Sequence, residues 1–588
     1  MAKTIRIGGA SGFWGDADVA TPQLLSAGCD YVVYDYLAEI TLSIMARARA
    51  KDPALGYATD FVAALTPQLE KIVETGVKIV SNAGGLNPVA CADALRTAAA
   101  KAGLRLKISV VTGDDLTPRS ADFKDVSEMF SGAPFPPQDR IASVNAYLGA
   151  FPIAEALKQG ADIVITGRCV DSAVAVAPCI HEFGWEADDV HRLAAASLAG
   201  HILECGAQAT GGNFTDWEDI SDPAYIGYPI AEIEENGDFT ISKPEGTGGK
   251  VTVGTVGEQM LYEIGDPRAY ILPDVICDFS DVSVEAAGQD LVRVSGARGR
   301  GAPADYKVSA TYSDGWRIAF LAFFVGEQAA AKANVYAEAA LTRAEAKLEA
   351  MGAPGYEEVA VELLGDESHY GVYAREFEAR EVTLKIAVKH ADARACSLLL
   401  KEATGLGLSA PPGLTLFGGY RPKPSPVVRL FSYILPKADV DIDIDGRRYS
   451  APEHPPEMPA GPAPEPETPE TPPGEQMTEV PLNQLAYLRS GDKGDKANIG
   501  VFPRNPKLAP WLWAGLPEHV VAARFAHFLE GEVERFFLPG TGSINFLLHD
   551  VLGGGGMASL RNDPQGKTYG QILGQTPIVL PRKLAETL

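Results

Sequence analysis

The sequence predicts an α/β protein: a doubly wound, mostly parallel sheet in the N-terminal half, an α+β second half, and a separate small α+β domain at the C-terminal end. Three observations predict this. Through residues 1–220, short apolar runs alternate with helix-like segments, the pattern of strands covered on both faces by crossover helices. Across residues 221–450 the β-type runs lengthen, and at Ile230–Ile241 two of them flank Asn236-Gly237, the favoured hairpin turn. Composition then changes abruptly over residues 451–477, before mixed signals resume at 478–588.

Taken in order, strands are expected at Thr4–Gly9, Tyr31–Asp35, Val77–Ser81, Leu106–Val111 and Asp162–Thr166. Each is a short, nearly continuous apolar run. Helices are expected at Ala38–Ala50, Phe61–Thr75, Pro88–Ala102 and Ile141–Gln159. In the second half, residues 251–257, 308–314, 316–326 and 382–390 are expected to be strands, with a helix at 329–352. Ten of the 26 residues from 451 to 476 are proline and six are glutamate, with no lysine or arginine. Proline lacks the backbone donor and like charges repel, so this stretch is expected to be an extended linker.

The chain has 588 residues, 46% of them hydrophobic, enough to bury a large core. Its net charge of −26 repels phosphate backbones and anionic lipid, so neither nucleic acid nor membrane is expected as a partner. No apolar run is long enough to span a bilayer, and the first residues lack the pattern of a secretory signal, so a cytoplasmic location is expected. The seven cysteines form no CxxC pair, which argues against a disulfide framework or structural zinc. No metal and no redox cofactor is expected. A small anionic substrate is the expected partner, with self-association left open.

In open parallel sheets ligands bind beyond the carboxyl ends of the strands. All five predicted ends carry glycine, carboxylate, amide or hydroxyl groups, and they are expected to converge along one rim. The first supplies Gly9, Ser11 and Gly12; its spacing is not GxGxxG, so a nicotinamide or flavin site is disfavoured. The second supplies Asp35, the third Asn82, Gly84 and Gly85, and the fourth Asp114 and Asp115. Arg168 and Asp171 follow the fifth; Arg168 is the best cationic candidate, since a guanidinium there suits a carboxylate or phosphate, with a structural salt bridge to Asp171 as the alternative. Asp35, Asp114, Asp115 and Asp171 are the candidate acids and bases, because clustered carboxylates push one another's pKa values apart. His201 and Cys205 share a helix face, but no further ligand pair is near, and a core histidine is the simpler account. Asn213, in the loop Gly211–Trp217, is placed at the cleft, and Lys250 follows a glycine-rich turn suited to an anion. In the last domain, Ser490, Asp492 and Lys493 belong to a loop with two Gly-Asp-Lys units.

Several of these segments, GGASGFWGD, VVYDYLAEITLSIMAR, SNAGGLNP, ITGRCVDSA and LECGAQATGGNFTDW, resemble the acyclic terpene utilisation protein AtuA family over nearly all of residues 1–445. RSGDKGDKANIG and LLHDVLGGGG resemble the AtuA-like C-terminal domain. The resemblance implies a place in catabolism of acyclic terpenes through acyl-CoA intermediates. It implies no particular catalytic residues. The expected function is an enzyme acting on a branched or unsaturated acyl-CoA by hydration or another redox-free proton transfer, a lyase- or hydratase-like activity whose coenzyme A thioester is substrate rather than cofactor. The alternative is a non-catalytic binding or assembly protein of the same pathway.

Overall fold

The computed structural model describes residues 3–36, 39–452, 464–473, 476–556 and 558–587. Most of the expected spacer at 451–477 therefore lies outside the described residues. Five parallel strands lie side by side in the order Thr4–Gly9, Tyr31–Tyr34, Lys78–Ser81, Ile163–Thr166, Ile108–Thr112. The chain crosses three positions in one direction, skips a place, and returns with Ile163–Thr166 to fill it. Alternation along these strands sends Val32 and Tyr34 to one core and Tyr31 and Val33 to the other. Helices Thr59–Leu65 and Pro88–Lys101 cover the first face; Phe151–Lys158, Ala173–Phe183 and Val190–Leu203 cover the second.

The sheet is mixed, which corrects the expectation of a mostly parallel one. Ile230–Glu234 pairs antiparallel with Thr4–Gly9, and the Asn-Gly hairpin then adds Phe239–Ser242 and two further antiparallel strands. Asp443–Ile444 closes the other side, antiparallel to Ile108–Thr112. Antiparallel neighbours can be joined by a short turn, as in the hairpins Ile230–Glu234 with Phe239–Ser242 and Ser283–Gly288 with Leu291–Ser295.

A second sheet is built around the 21-residue strand Asp305–Val325, where two separate strands were expected. Its irregularity at Ser313/Trp316 marks the place where the two predicted runs meet. Residues 141–146 also differ from expectation: Ile141–Ala146 is a strand of this sheet, not the start of a helix. Its partner, Val308 opposite Ala146, is remote in sequence, so long-range pairing overrides the local helical signal. Residues 251–257 depart in the opposite sense. Val253–Leu261 is a helix, started by Thr252, whose hydroxyl accepts the Thr255 N–H at 3.2 Å while Thr255 Oγ1 accepts the Thr252 N–H at 3.0 Å.

The C-terminal domain is a four-stranded antiparallel sheet in the order Ala486–Lys493, Lys496–Pro503, Ser543–Leu548, Val533–Leu538. Helix Val253–Leu261 of the large domain packs against it. A Cβ on Gly254 would meet the Tyr487 ring at 2.8 Å, and one on Gly257 the Phe502 ring at 2.5 Å. Glycine on the helix and aromatics on the sheet thus interlock. Arg489, buried, binds Glu258 at 2.9 Å and the Gly212 carbonyl at 3.1 Å. Asn498 and Asn545 donate to the carbonyls of Leu261 and Ile264 at 2.7 and 2.8 Å. No helix among the described residues is long and apolar enough to cross a membrane.

Candidate functional site

The carboxyl ends of the five parallel strands meet. Ser11 donates to the Asp35 carbonyl at 2.9 Å. The Asp35 carboxylate accepts from the Asn82 side-chain amide, and Asn82 Oδ1 accepts the Tyr36 N–H at 2.8 Å. Asp114 accepts the Arg168 N–H at 2.7 Å and the Asn145 amide at 2.9 Å. The Arg168 guanidinium binds Asp171 at 2.7 Å and lies 4.1 Å from the centre of the Tyr147 ring. Thus Ser11, Asp35, Asn82, Asp114, Arg168 and Asp171 form one continuous rim.

The rim glycines act through what they let approach. A Cβ on Gly9 would lie 2.6 Å from the Leu203 carbonyl, and one on Gly12 2.9 Å from Cys205 Cα. Their absence of side chain lets the end of helix Val190–Leu203 lie against the first loop. Gly84 gives the same room to Pro88 and the Thr166 carbonyl, and Gly85, at φ +51°, to Met45. These four contact the chain itself in the structure. Asp115 lies apart from the others, paired with Arg49 at 3.0 Å and accepting the Thr117 N–H at 3.0 Å.

The close approach of that helix brings in groups the strand ends do not supply. His201 Nδ1 lies 2.9 Å from Glu204 Oε1, both side chains buried. Gln259, fully buried, donates to the His201 carbonyl at 3.3 Å. Across the crevice the C-terminal domain supplies Lys493, 3.9 Å from Glu263, and Lys567, 3.0 Å from Glu263 and 3.5 Å from Asp492. Lys567 also contacts the Tyr262 hydroxyl. Ser490 is spent inside its domain, donating to the Gly566 carbonyl at 2.6 Å and accepting the Gly570 N–H at 2.9 Å.

Two further sequence candidates lie outside this cluster. The Gly211–Trp217 loop meets the C-terminal domain: Phe214 stacks on Tyr487 at 5.3 Å and Asp216 binds Arg504 through two contacts of 2.6 Å. Asn213 is exposed there, at φ +55°. Lys250 pairs with Asp219 at 2.8 Å on the surface. Conversely, Glu204, Gln259, Glu263 and Lys567 were not singled out from sequence. Only Glu204 had a local signal, standing three residues after a histidine on a helix.

Burial pushes the Asp35 carboxyl up to about 8, assisted by the negative charges of Asp171 and Glu204 and opposed by Arg168 and the Asn82 hydrogen bond. Burial likewise pushes Asp114 up to about 7, against the hydrogen bonds from Arg168 and Asn145. Glu204 is raised by burial, then lowered in part by His201. The Lys493 side chain is 40% exposed yet sits among charged protein groups. Burial alone would lower its pKa, but Tyr270, Glu263, Asp171 and Glu204 together raise it, so the ammonium is held firmly protonated. The arrangement therefore sets a neutral carboxyl beside fixed cations, a combination suited to moving a proton while an anion is held.

Among the described residues no group of three or more His, Cys, Asp or Glu side chains is arranged to hold a metal ion. Two surface cavities, of about 290 Å³ beside Asp139 and Trp316 and about 500 Å³ beside Thr342 and Gly355, lie away from the rim. Neither is lined by a rim residue.

The family model described as acyclic terpene utilisation family protein AtuA matches residues 5–445, and the AtuA ferredoxin-like domain matches residues 480–579. Searches of curated proteins and of solved structures returned no match.

Proposed function

The chain belongs to the AtuA family of acyclic terpene utilisation proteins, and on that premise we propose that it is an enzyme acting on a branched or unsaturated acyl-CoA by redox-free proton transfer, with hydration of the conjugated double bond as the reaction. One observation carries the proposal: a buried carboxyl, Asp35, held by Asn82 in a rim that also holds Arg168 and faces the lysines of the C-terminal domain.

In this reaction water oxygen bonds to the β-carbon of the enoyl thioester while a proton reaches the α-carbon. Asp35, neutral below about pH 8, is the donor of that proton. In this reading the protonated Lys493 stabilises negative charge developing on the thioester oxygen. Its raised pKa disfavours a role as an amine nucleophile. Arg168 is held by Asp171 and Tyr147, so it serves as a fixed positive wall of the rim.

The alternative, an adaptor docking through the Gly-Asp-Lys loop, is weakened because that loop already packs on the chain's own large domain: a Cβ on Gly491 would lie 2.5 Å from the Tyr262 ring. The test is turnover of 3-methylcrotonyl-CoA, followed by loss of the enoyl thioester absorbance. Asp35→Asn is expected to lower kcat by about 10²–10⁴-fold with the circular dichroism unchanged. Undiminished turnover in Asp35→Asn, or none in the native protein, would overturn the proposal.

A further inference from the structure

Three buried polar atoms beside the rim have no hydrogen-bond partner in the protein: His201 Nε2, Glu204 Oε2 and Gln259 Oε1. His201 is 1% exposed and Gln259 0%, and the Glu204 side chain is 7% exposed. Leaving such an atom buried and unpaired is unfavourable, so three on neighbouring residues mark a position built for a ligand group. They belong together. Gln259 is tied to the His201 backbone, and His201 to Glu204. Glu204 stands between Leu203 and Cys205, which lie against the first loop at Gly9 and Gly12, and it is within electrostatic reach of Asp35, Asp171 and Lys493, so the trio stands beside the rim.

The chemistry of the three atoms selects the ligand. An amide oxygen can only accept, and a glutamate oxygen accepts when ionised. His201 Nδ1 faces Glu204, leaving Nε2 free to complete a contact in either sense. A thioester carbonyl, itself only an acceptor, does not fit two acceptors. A hydroxyl or a water molecule does.

We propose that His201, Glu204 and Gln259 form the oxygen site of the reaction, binding the water that is added to the double bond and, in the product, the 3-hydroxyl group of the hydroxyacyl thioester. This rests on the acyl-CoA reading above and adds the residues that select the substrate's hydroxyl. In the forward direction water donates hydrogen bonds to Glu204 and Gln259. As its oxygen bonds to the β-carbon, one proton passes to Glu204 and the π-electron pair moves to the α-carbon. That carbon takes the Asp35 proton. Exchange of protons with solvent then restores both carboxyl groups. Water is the only co-reactant, and no electrons are gained or lost overall.

The experiment compares binding of 3-hydroxybutyryl-CoA and butyryl-CoA, a pair differing by one hydroxyl, by titration calorimetry on the full chain. The native protein is expected to favour the hydroxylated ester at least tenfold. Gln259→Met and Glu204→Gln are each expected to shrink that ratio to within about twofold. Two variants of different shape guard against one that fails to fold. Equal binding of both esters to the native protein, or a ratio unaltered in both folded variants, overturns the oxygen site and leaves the acyl-CoA reading standing. Binding of neither ester overturns both.

Discussion

At the residue scale, the local environment of Asp35 sets its chemistry. Its carboxyl is buried, bonded to Asn82, and raised to about 8 by burial and by Asp171. The stability this neutral form supplies is fully present below the ordinary value near 4 and is lost as pH rises through 8. Asparagine has no charge to bury. Asp35→Asn is therefore expected to melt with the native protein near about pH 4 and a few degrees above it near about pH 9, where ~1 kcal/mol moves a midpoint ~2–4 °C. Scanning fluorimetry at the two pH values reads the difference; a variant less stable at the high pH would mean that the carboxylate is ionised in the native fold. Gly167 gives a second residue-level expectation. A Cβ there would lie 2.2 Å from Asp114 Oδ1, so Gly167→Ala must displace the carboxylate that holds the Arg168 N–H. A loss of about 1–3 kcal/mol in urea melts is expected, as for a buried donor left unpaired.

At the scale of elements, helix Val253–Leu261 has the largest part in placing the site. It begins at the Thr252 capping box, presents Gly254 and Gly257 to the aromatics of the C-terminal sheet, and continues into Tyr262 and Glu263, which meet Lys567. Gly257→Leu is expected to hold the helix but force the two surfaces apart, since its Cβ alone would stand 2.5 Å from Phe502. Hydrogen exchange should quicken in residues 486–503 while that of the Thr4–Gly9 strand is unchanged. Unaltered exchange in both regions would show that the interface tolerates the bulk. The sequence of this segment, Val-Thr-Val-Gly-Thr-Val-Gly, is rich in β-forming residues, and the strand reading followed local preference. The capping threonines and the packing against another domain decided otherwise. Ile141–Ala146 erred the other way because its strand partner lies more than a hundred residues downstream in Asp305–Val325.

At the scale of the whole molecule, the C-terminal domain is a wall of the site. Its docking includes the buried pair Arg489–Glu258, whose members are 5% and 0% exposed in their side chains. Removing one partner strands a buried charge, so Arg489→Met is expected to cost about 3–5 kcal/mol, and Arg489→Met with Glu258→Gln to recover much of it. Urea melts of the two single and one double variant read the coupling; additive losses would mean that the pair is not one unit. Because Lys493 and Lys567 reach the crevice only through this docking, Arg489→Met should also weaken butyryl-CoA binding.

The sequence by itself determined the central strands and the polar character of their ends, because both are local: an apolar run of strand length is a strand wherever it is buried, and glycine, aspartate and asparagine at its end are read directly. It also carried the family, through motifs spread over both domains. Which residues face each other was decided only in three dimensions. Glu204 gained its importance when Gly9 and Gly12 let a helix end approach the first strand, and Lys493 when glycines and aromatics locked two domains together. Contacts of that kind depend on surfaces complementary across hundreds of residues, and no window along the chain contains both sides of them.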